Sequence, residues 1–337
     1  MNLVKSLSEV NADKTLFPIF FHDDYLAVER ETAPNTETLF CYDSQRQIVV
    51  PFIVSKNKFL RKAMYIYVPL KINGQRPDEV SEKFFTEDFH NFLKQQKICD
   101  VIFPPCHYCA FKSIPCYCRY YEIGILIVDL TLEEEVVFNK INAENRRQIR
   151  KAKKTGVKIL WGTQYLDDFY NSYLETVEKK NILPDNYNYF KNLIAKFGDD
   201  CIIGIARYGN KTEAAVFDMK DQRYAYSFNS GTALSTAIKG SKKLLVWNEY
   251  QQLKNAGIEK YFFGGYRLSL DKSMPLHHVQ DFKKNLGCDI EKGYHFIKII
   301  NPTRYYLFEA ALWCKALVRG RPCSMFNKSG LEIKKST

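Results

Sequence analysis

Short apolar runs that resemble buried strands alternate with longer segments of helical periodicity along most of the chain. Residues 47–54 and 122–130 have the length and β-branched content of strands, whereas residues 166–180 and 241–255 have the length and spacing of helices. Strands that alternate with helices are typical of α/β proteins, in which helices cover the faces of a sheet. The sequence therefore predicts an α/β fold built on mixed sheets.

The same pattern predicts individual elements. Residues 78–95 are predicted to form a pair of helical segments, and residues 133–154 one helix that ends at Thr155-Gly156. Turn-like residues connect three further strand candidates, which predicts an antiparallel meander. These strands are residues 201–207, 213–219 and 224–229.

Two predictions concern the last part of the chain. Residues 260–263 are predicted to form a short strand that leads into a turn at Gly264-Gly265. A final helix over residues 302–319 begins at a proline, which suits the first turn of a helix. Its predicted apolar face consists of Tyr305, Leu307, Phe308, Ala311, Leu312 and Leu317.

The length of the chain indicates more than one domain. Its 337 residues are too many for one ordinary hydrophobic core and suit two α/β domains. We place an N-terminal domain at residues 1–131 and a C-terminal domain at residues 132–300. Residues 301–337 are a C-terminal helix and tail, which can pack back on the first domain or on the second.

The chain has a formal net charge of +11, from 49 Lys and Arg against 38 Asp and Glu. This excess favours acidic partners, namely nucleotides, nucleic acid or an anionic membrane surface, and does not choose among them. No apolar stretch is long enough to span a bilayer, and the N-terminal residues lack the pattern of a secretory signal. We therefore expect a cytoplasmic protein.

Six cations in nine residues mark the helix predicted over residues 133–154. They lie on one arc of the helix, opposite an apolar stripe that contains Asn145, for which we expect buried hydrogen bonds. The arc is either a solvated helix face, which the pattern favours, or a surface for a diphosphate or nucleic-acid backbone, whose oxygens suit arginine. The cations are Arg146, Arg147, Arg150, Lys151, Lys153 and Lys154.

Two short segments are candidates for a binding or catalytic role. The pair Gly264-Gly265, followed by Tyr266, forms an ordinary turn or lets the backbone approach a ligand closely. The pair Phe282-Lys283 lies at the end of a predicted helix that stops at Gly287. Lys283 either caps the last helical carbonyls or neutralises an oxyanion during acyl transfer.

Four cysteines cluster near the end of the first predicted domain, at its junction with the second. Cys106, Cys109, Cys116 and Cys118 are enough ligands for a structural zinc ion. Their spacing is tighter than the wide loops of common four-cysteine sites, which favours a reduced, half-buried loop without metal.

Taken together and in order, several motifs resemble the FemAB family of the acetyltransferase (GNAT) superfamily. The resemblance extends over most of the chain and is strongest from residue 124 to residue 300. The motifs are Val128-Asp129-Leu130, Asn145 to Val157 (a family-like N-x-R-x-I-x-x-A-x-x-x-G-V pattern), Leu244 to Gly257, Phe263-Gly264-Gly265 and Phe282-Lys283.

The resemblance implies two tandem GNAT-like acyltransferase domains and transfer of an acyl or aminoacyl group to an amine. In peptidoglycan-branching relatives the donor is aminoacyl-tRNA and the acceptor a nucleotide- or lipid-linked muropeptide. In others the donor is acyl-CoA and the acceptor an amino sugar, as in polysaccharide biosynthesis. The resemblance also implies that no cofactor is bound. It implies a catalytic role for Lys283, with Phe282 and the glycine segment that ends in Tyr266 as substrate-binding neighbours. The acceptor's phosphates would then bind a surface formed by Arg146, Arg147 and Arg150.

Three departures from the family pattern bear on mechanism. The CoA-binding loop of acetyltransferases is absent, because the nearest segment, residues 237–242, lacks its first and last motif residues. The long helical-hairpin arm of staphylococcal relatives is absent as well. No general base is evident, with Tyr294, His295 and Asp281 as the nearby candidates. The alternative function is a non-catalytic protein that binds RNA or an anionic surface through the basic helix.

Overall fold

The computed structural model describes residues 1–33, 35–55, 59–180, 183–269, 275–318 and 334–336. The chain divides into two compact units that are discontinuous in sequence. Unit 1 comprises residues 1–125, 265–277 and 292–337, and unit 2 comprises residues 126–264 and 278–291. None of the helices in these ranges is long and apolar enough to cross a membrane.

The strands and helices are numbered in chain order. The strands are β1 (Asn2–Val4), β2 (Thr36–Asp43), β3 (Ile48–Ser55), β4 (Lys62–Tyr65), β5 (Leu70–Lys71), β6 (Val101–Phe103), β7 (Arg119–Asp129), β8 (Lys158–Trp161), β9 (Cys201–Tyr208), β10 (Lys211–Lys220), β11 (Tyr224–Thr232), β12 (Lys260–Arg267), β13 (Asp289–Ile299) and β14 (Lys334–Lys335). The helices are α1 (Asp23–Thr32), α2 (Glu79–Gln95), α3 (Glu134–Lys140), α4 (Ala143–Thr155), α5 (Leu166–Lys179), α6 (Tyr187–Phe197), α7 (Ser241–Asn255), α8 (Pro275–Lys284) and α9 (Pro302–Val318). Single 3₁₀ turns are formed by Leu7–Val10, Lys14–Leu16, Ile19–Phe21, Thr163–Tyr165 and Gly198–Asp200.

Unit 1 contains a mixed sheet with the strand order β1-β2-β3-β4-β6-β13. Its neighbours are antiparallel except β4 and β6, which run parallel. The aromatic face of α2 covers this sheet, since the Phe89 ring lies 5.1 Å from the ring of Phe52 and 5.5 Å from that of Tyr65. Buried apolar area of this kind is the main stabilising contribution to the unit.

Unit 2 contains the predicted meander, in which β8, β9, β10 and β11 are successive antiparallel neighbours. Strand β12 then joins β11 in parallel. A buried cluster between α4, α7 and the sheet includes Ile149, Ala152, Val216 and Leu245. The prediction of an antiparallel meander is thus confirmed.

The prediction of a single basic helix over residues 133–154 is wrong, because the segment is broken at Ile141. The Asn142 side chain accepts a hydrogen bond from the amide of Glu144 at 2.9 Å and so caps a new helix, α4. Arg146 Nη1 donates to the carbonyl oxygens of Asn139 and Ile141 at 2.6 and 2.7 Å, which satisfies the end of α3. Local capping groups therefore decide the break.

The pair of helical segments predicted over residues 78–95 is also wrong, because α2 is continuous. Asp78 caps it by accepting from the amide of Ser81 at 2.9 Å. Phe85, Phe89 and Leu93 are fully buried and recur every four residues, which makes one uninterrupted apolar stripe.

Two predictions for the last part of the chain need correction. The segment Gly264-Gly265 is not a turn, because β12 continues through both glycines to Arg267. The apolar face predicted for the last helix is buried only in part. Tyr305 is 1% exposed whereas Leu307 is 66% exposed, and Leu317 lies outside the residues whose side chains the structure describes.

Candidate functional site

The candidate site lies beside a bulge in β11. The register between β10 and β11 shifts between Phe217, which pairs with Asn229, and Asp218, which pairs with Ser227, so Phe228 is the extra residue of the bulge. Bulges of this kind bend a strand and increase its twist. The parallel ladder between β11 and β12 covers only residues 224–226 and 260–262, although both strands continue. The two strands therefore diverge just beyond the bulge.

A cavity of about 340 Å³ in unit 2 lies between the diverging strands. Its wall is apolar with a few polar groups, as in sites for small ligands. Three lysines reach it, from the end of α5, from α7 and from α8. The lining residues are Thr176, Lys180, Val216, Ser227, Ser230, Thr232, Lys242, Val246, Tyr261, Phe263, His278, Val279, Phe282 and Lys283.

Lys283 enters the cavity from the last turn of α8. Its Nζ donates to the carbonyl oxygen of Phe263 at 2.6 Å and lies 5.7 Å from the centre of the Phe263 ring. Burial lowers the pKa of Lys283, while the Coulombic attraction of Asp218 opposes that effect. The capping role considered for Lys283 is not what the structure shows, because the carbonyl that it contacts belongs to β12.

Lys242 enters the same cavity from the first turn of α7. Its Nζ donates to the carbonyl oxygen of Ala215 on β10 at 2.9 Å. Burial lowers the pKa of Lys242 to about 8, although Asp218 and Glu249 both favour its cation. An amine with such a pKa exchanges protons readily near neutral pH.

A buried acid pair lies behind the cavity wall. Asp218 and Glu249 are both 0% exposed, and the Tyr261 hydroxyl lies within hydrogen-bond distance of both carboxyl groups. The Tyr261 hydroxyl donates to Asp218 Oδ2 at 2.5 Å, and the amide of Phe228 donates to Asp218 Oδ1 at 3.1 Å. Burial raises the pKa of Asp218 and raises that of Glu249 well above its usual range. Glu249 is accordingly the protonated member of the pair.

The loop before α7 is closed by a side chain of the protein itself. Both oxygens of the fully buried Glu213 carboxylate accept backbone amides, from Ala237 and from Ile238, each at 3.0 Å. Gly240 follows with a φ of +106°, and a Cβ atom there would lie 2.7 Å from the carbonyl oxygen of Gln148. The amide groups at which a phosphate would bind before a helix are thus occupied by a carboxylate.

The three arginines of the basic helix do not line the cavity. Arg146 bonds the end of α3, as described above. Arg147 pairs with Glu144 on the helix surface at 2.8 Å, and the Arg150 guanidinium lies 5.3 Å from the centre of the Phe138 ring. The buried hydrogen bonds expected for Asn145 are confirmed. Its Nδ2 donates to the carbonyl oxygen of Asn285 at 2.9 Å, and its Oδ1 accepts from Lys243 Nζ at 2.6 Å.

The other sequence-derived candidates lie in different surroundings. Phe282 lines the cavity beside Lys283. Gly264 and Gly265 continue β12 beyond Phe263, and Gly264 has a φ of +97°. Tyr266 follows in the same strand and is partly buried. None of these last three residues is among those that line the cavity.

The candidate bases named from sequence are not part of the cavity wall either. His295 is buried in unit 1, where its Nε2 donates to the carbonyl of Cys109 at 2.8 Å and its Nδ1 accepts from the Tyr121 hydroxyl at 3.2 Å. Burial lowers the pKa of His295 to about 4, so its ring is neutral and both nitrogens are in use. Tyr294 exchanges backbone hydrogen bonds with Phe111.

The four clustered cysteines do not form a metal site. Within the described ranges, which include all four, no three His, Cys, Asp or Glu side chains are placed to hold a metal ion. Cys109 and Cys118 are buried thiols whose Sγ atoms donate to nearby backbone carbonyls, those of Cys106 and Cys116. The absence of zinc that the spacing favours therefore stays a prediction.

Sequence reasoning missed Lys242, Asp218, Glu249, Tyr261 and Glu213. A signal for the acids was present, because Asp218 and Glu213 lie within the largely apolar strand Lys211–Lys220. Glu249 follows Leu245 by four residues and Val246 by three, on the buried side of α7. Acidic residues inside apolar patterns are expected to be paired or functional, since burying them alone is costly.

Comparisons with known proteins gave one matching family and several similar solved structures. The FemAB family model matches residues 125–225, and no curated protein sequence matches the chain. The crystal structure of FemX matches with a TM-score of 0.68 and 12% identity, over 91% of this chain and 99% of that one. The C-terminal domain of a putative lysylphosphatidylglycerol synthetase from Agrobacterium fabrum matches with a TM-score of 0.56 and 13% identity, over 86% and 97%. L-PGS from Bacillus licheniformis matches with a TM-score of 0.50 and 13% identity, over 88% and 96%.

These matches confirm the resemblance to the FemAB family and the predicted α/β fold class. The family match includes the basic helix α4, the strands β8, β9 and β10, and the acid Asp218. At these sequence identities, the structural likeness shows the fold alone. The residues that line the cavity bear on the substrate and the reaction.

Proposed function

We propose that this chain transfers an acyl or aminoacyl group to the amine of a cell-envelope precursor or amino sugar. The observation that supports this most strongly is the cavity between β11 and β12, into which Phe282 and Lys283 of the family-like motif project. A largely apolar wall with a few polar groups suits an acyl chain and its reacting carbonyl. The FemAB match over residues 125–225 supports the same class of reaction.

Lys283 is the residue to which we assign stabilisation of the reacting carbonyl. When the amine attacks, negative charge develops on the carbonyl oxygen, and a fixed cation in a water-poor site stabilises that charge strongly. The 2.6 Å bond to the Phe263 carbonyl oxygen holds the Lys283 ammonium in place. Phe282, the neighbouring lining residue, restricts the space beside it.

The loop before α7 favours an aminoacyl-tRNA over an acyl-CoA as donor. In acetyltransferases the diphosphate of CoA binds such a loop, which here lacks the motif residues. Glu213 occupies the amides of Ala237 and Ile238 and places negative charge at that point, which would repel a diphosphate. An aminoacyl ester needs no diphosphate site there.

The acceptor is proposed to be a nucleotide- or lipid-linked muropeptide or sugar, with phosphates near the basic helix. Arg146 already donates to two carbonyl groups, so the side chains that face solvent are those of Arg147 and Arg150. A lipid-linked acceptor would bring the protein to the inner surface of the membrane, where a net charge of +11 favours binding.

A donor comparison tests the function. Purified protein is given labelled amine acceptors with either charged tRNAs or acyl-CoAs, and transfer is followed for the wild type, Lys283→Ala and Lys284→Ala. We expect transfer from charged tRNA. Lys283→Ala should lower kcat about 10²- to 10³-fold, the effect of losing one oxyanion donor, with little change in the KM of the acceptor.

The Lys284→Ala variant is the matched control, because Lys284 is the exposed neighbour on the same helix. It should retain wild-type turnover. Equal turnover of Lys283→Ala and the wild type would refute the role of Lys283, and transfer from acyl-CoA alone would refute the choice of donor.

A further inference from the structure

Of the three lysines that line the cavity, Lys242 and Lys283 are held by different backbone carbonyls. Lys283 of α8 bonds the Phe263 carbonyl, while Lys242 of α7 bonds the Ala215 carbonyl. Both line the same cavity of about 340 Å³. Two cations in one small apolar cavity disfavour each other, so one of the two amines is more easily neutral than the other.

The contacts of Lys242 leave one side of its amine available. Among the residues that the structure describes, its Nζ makes one hydrogen bond, to the Ala215 carbonyl oxygen at 2.9 Å. A neutral amine can keep that bond through one N–H while its lone pair points elsewhere. Because Lys242 lines the cavity, the lone pair is accessible to a ligand bound there.

The charged and titratable groups around Lys242 come from five of the elements that line the cavity, since β11 contributes only Ser227, Ser230 and Thr232. The negative charge of the Asp218–Glu249 pair, from β10 and α7, favours its cation, whereas Lys283 of α8 and Lys180 at the end of α5 disfavour it. Tyr261 of β12 and His278 of α8 are the remaining titratable groups in the wall. The acid pair prevents the amine from becoming permanently neutral, and burial prevents it from being permanently charged.

We propose that Lys242 is the proton acceptor of the transfer reaction, taking the proton from the attacking amine while Lys283 faces the developing oxyanion. This assignment rests on the proposed function, which it deepens. It names a base in the cavity that contains Phe282 and Lys283, where His295 is not a lining residue. Within one site, acid and base roles are divided between titratable groups whose environments shift their pKa values in different directions.

The step balances without any further reactant. The acceptor nitrogen forms a bond to the acyl carbon, and the bond from that carbon to the ester oxygen of the donor breaks. The proton lost by the nitrogen moves to Lys242 Nζ and is then given to the leaving oxygen, so that Lys242 returns to its neutral form. The products are an amide and a free hydroxyl group.

The pH dependence of the wild type and Lys242→Arg tests the assignment. Arginine keeps the positive charge and cannot lose its proton near neutral pH. We expect the wild-type kcat to rise with pH along an acidic limb near pH 8, the pKa of Lys242. Lys242→Arg should lower kcat about 100-fold or more and abolish that limb, as expected for loss of a general base.

Two additional measurements keep the test decisive if Lys242→Arg folds poorly. Replacing Lys242 by γ-thialysine, a less basic amine of nearly the same shape, should shift the acidic limb to lower pH. Competitive labelling of the wild type across pH, read out on the peptide that contains Lys242, should give a titration near pH 8. Lys191→Arg, an exposed position on α6, should leave the limb and turnover unchanged.

The outcomes separate this inference from the proposed function. An acidic limb that is the same in the wild type, Lys242→Arg and the thialysine variant overturns the role of Lys242 while leaving acyl transfer intact. Absence of transfer by the wild type with every donor overturns both. A labelling titration of Lys242 near pH 10, as for an exposed lysine, also overturns it.

Discussion

Among single residues, the carboxyl groups buried in unit 2 are stabilised by hydrogen bonds. Asp218 accepts bonds from the Tyr261 hydroxyl and the Phe228 amide, and Glu213 accepts two loop amides. Glu249 Oε2 accepts a hydrogen bond from the Tyr261 hydroxyl at 3.3 Å, but its Oε1 has no hydrogen-bond partner within the described part of the chain. An incompletely bonded buried acid is costly as a charge, which is why Glu249 holds its proton.

Replacing Glu249 with Gln tests this protonation through stability. The pKa of Glu249 is raised in the folded protein, so the folded state holds a proton that the unfolded state releases above about pH 4.3. The contribution of Glu249 is therefore fully present below that pH and is lost as pH rises towards the folded pKa. Glutamine does not titrate, so Glu249→Gln should gain stability over the wild type as pH rises from 5 to 8.

Urea unfolding at several pH values measures the difference, which should grow by up to about 1.4 kcal/mol per pH unit. Glu178→Gln is the matched control, because Glu178 is exposed on α5. A difference between Glu249→Gln and the wild type that is constant with pH would show that Glu249 is ionised in the folded protein.

At the scale of elements, the contact between α4 and α7 positions the start of α7 and with it Lys242. Lys243 Nζ donates to the side chains of Asn145 and Gln148 at 2.6 and 2.7 Å. Gly240 lies directly before α7, where its φ of +106° and the Gln148 carbonyl leave no room for a side chain. The cationic helix thus has a packing role on one face that is separate from any binding role on the other.

Gly240→Ala should destabilise this contact. Alanine would have to adopt an unfavourable positive φ and would clash with the Gln148 carbonyl oxygen, at a cost of about 1–3 kcal/mol or more. Gly156→Ala is the control, since Gly156 has a φ of +91° with no atom within 4 Å of the added Cβ. Thermal or urea unfolding of both variants separates the backbone cost from the clash. Equal losses would show that the contact with Gln148 contributes nothing.

At the scale of the whole molecule, the excess of positive charge is large and partly concentrated on α4. Lys151, Lys153 and Lys154 are exposed there, within a chain of net charge +11. Such a surface attracts charged tRNA and an anionic membrane equally well. Charge alone therefore agrees both with the proposed transferase and with the non-catalytic alternative.

Salt dependence of tRNA binding measures how much of this surface is used. Each phosphate contact contributes about 0.7–0.9 to the slope of log K against log salt. Replacing Lys151, Lys153 and Lys154 with Gln should reduce the slope by about two units if all three bind phosphates. The same change at the exposed Lys94, Lys179 and Lys191 should have a smaller effect. Binding that does not change with salt excludes the RNA-binding alternative, whereas tight tRNA binding without transfer from any donor favours it.

Elements with local signals could be predicted from the amino-acid sequence. It predicted a helix over residues 241–255, and α7 has those bounds; it also predicted the meander and the position of Phe282-Lys283 at a helix end. Periodicity, turn residues and family-like spacing are properties of neighbouring residues, so they can be read without the fold. The helix break at Ile141 was missed because it depends on capping groups that compete with good helix formers.

Which side chains share the cavity depends on the three-dimensional fold. Lys242, Asp218 and Lys283 lie on three different elements, and a bulge in a fourth separates the strands between which the cavity lies. The pKa of Lys242 depends on burial and on charges from those elements, which no sequence pattern records. The same holds for Glu213, whose bonds to the loop before α7 distinguish this site from a diphosphate-binding one.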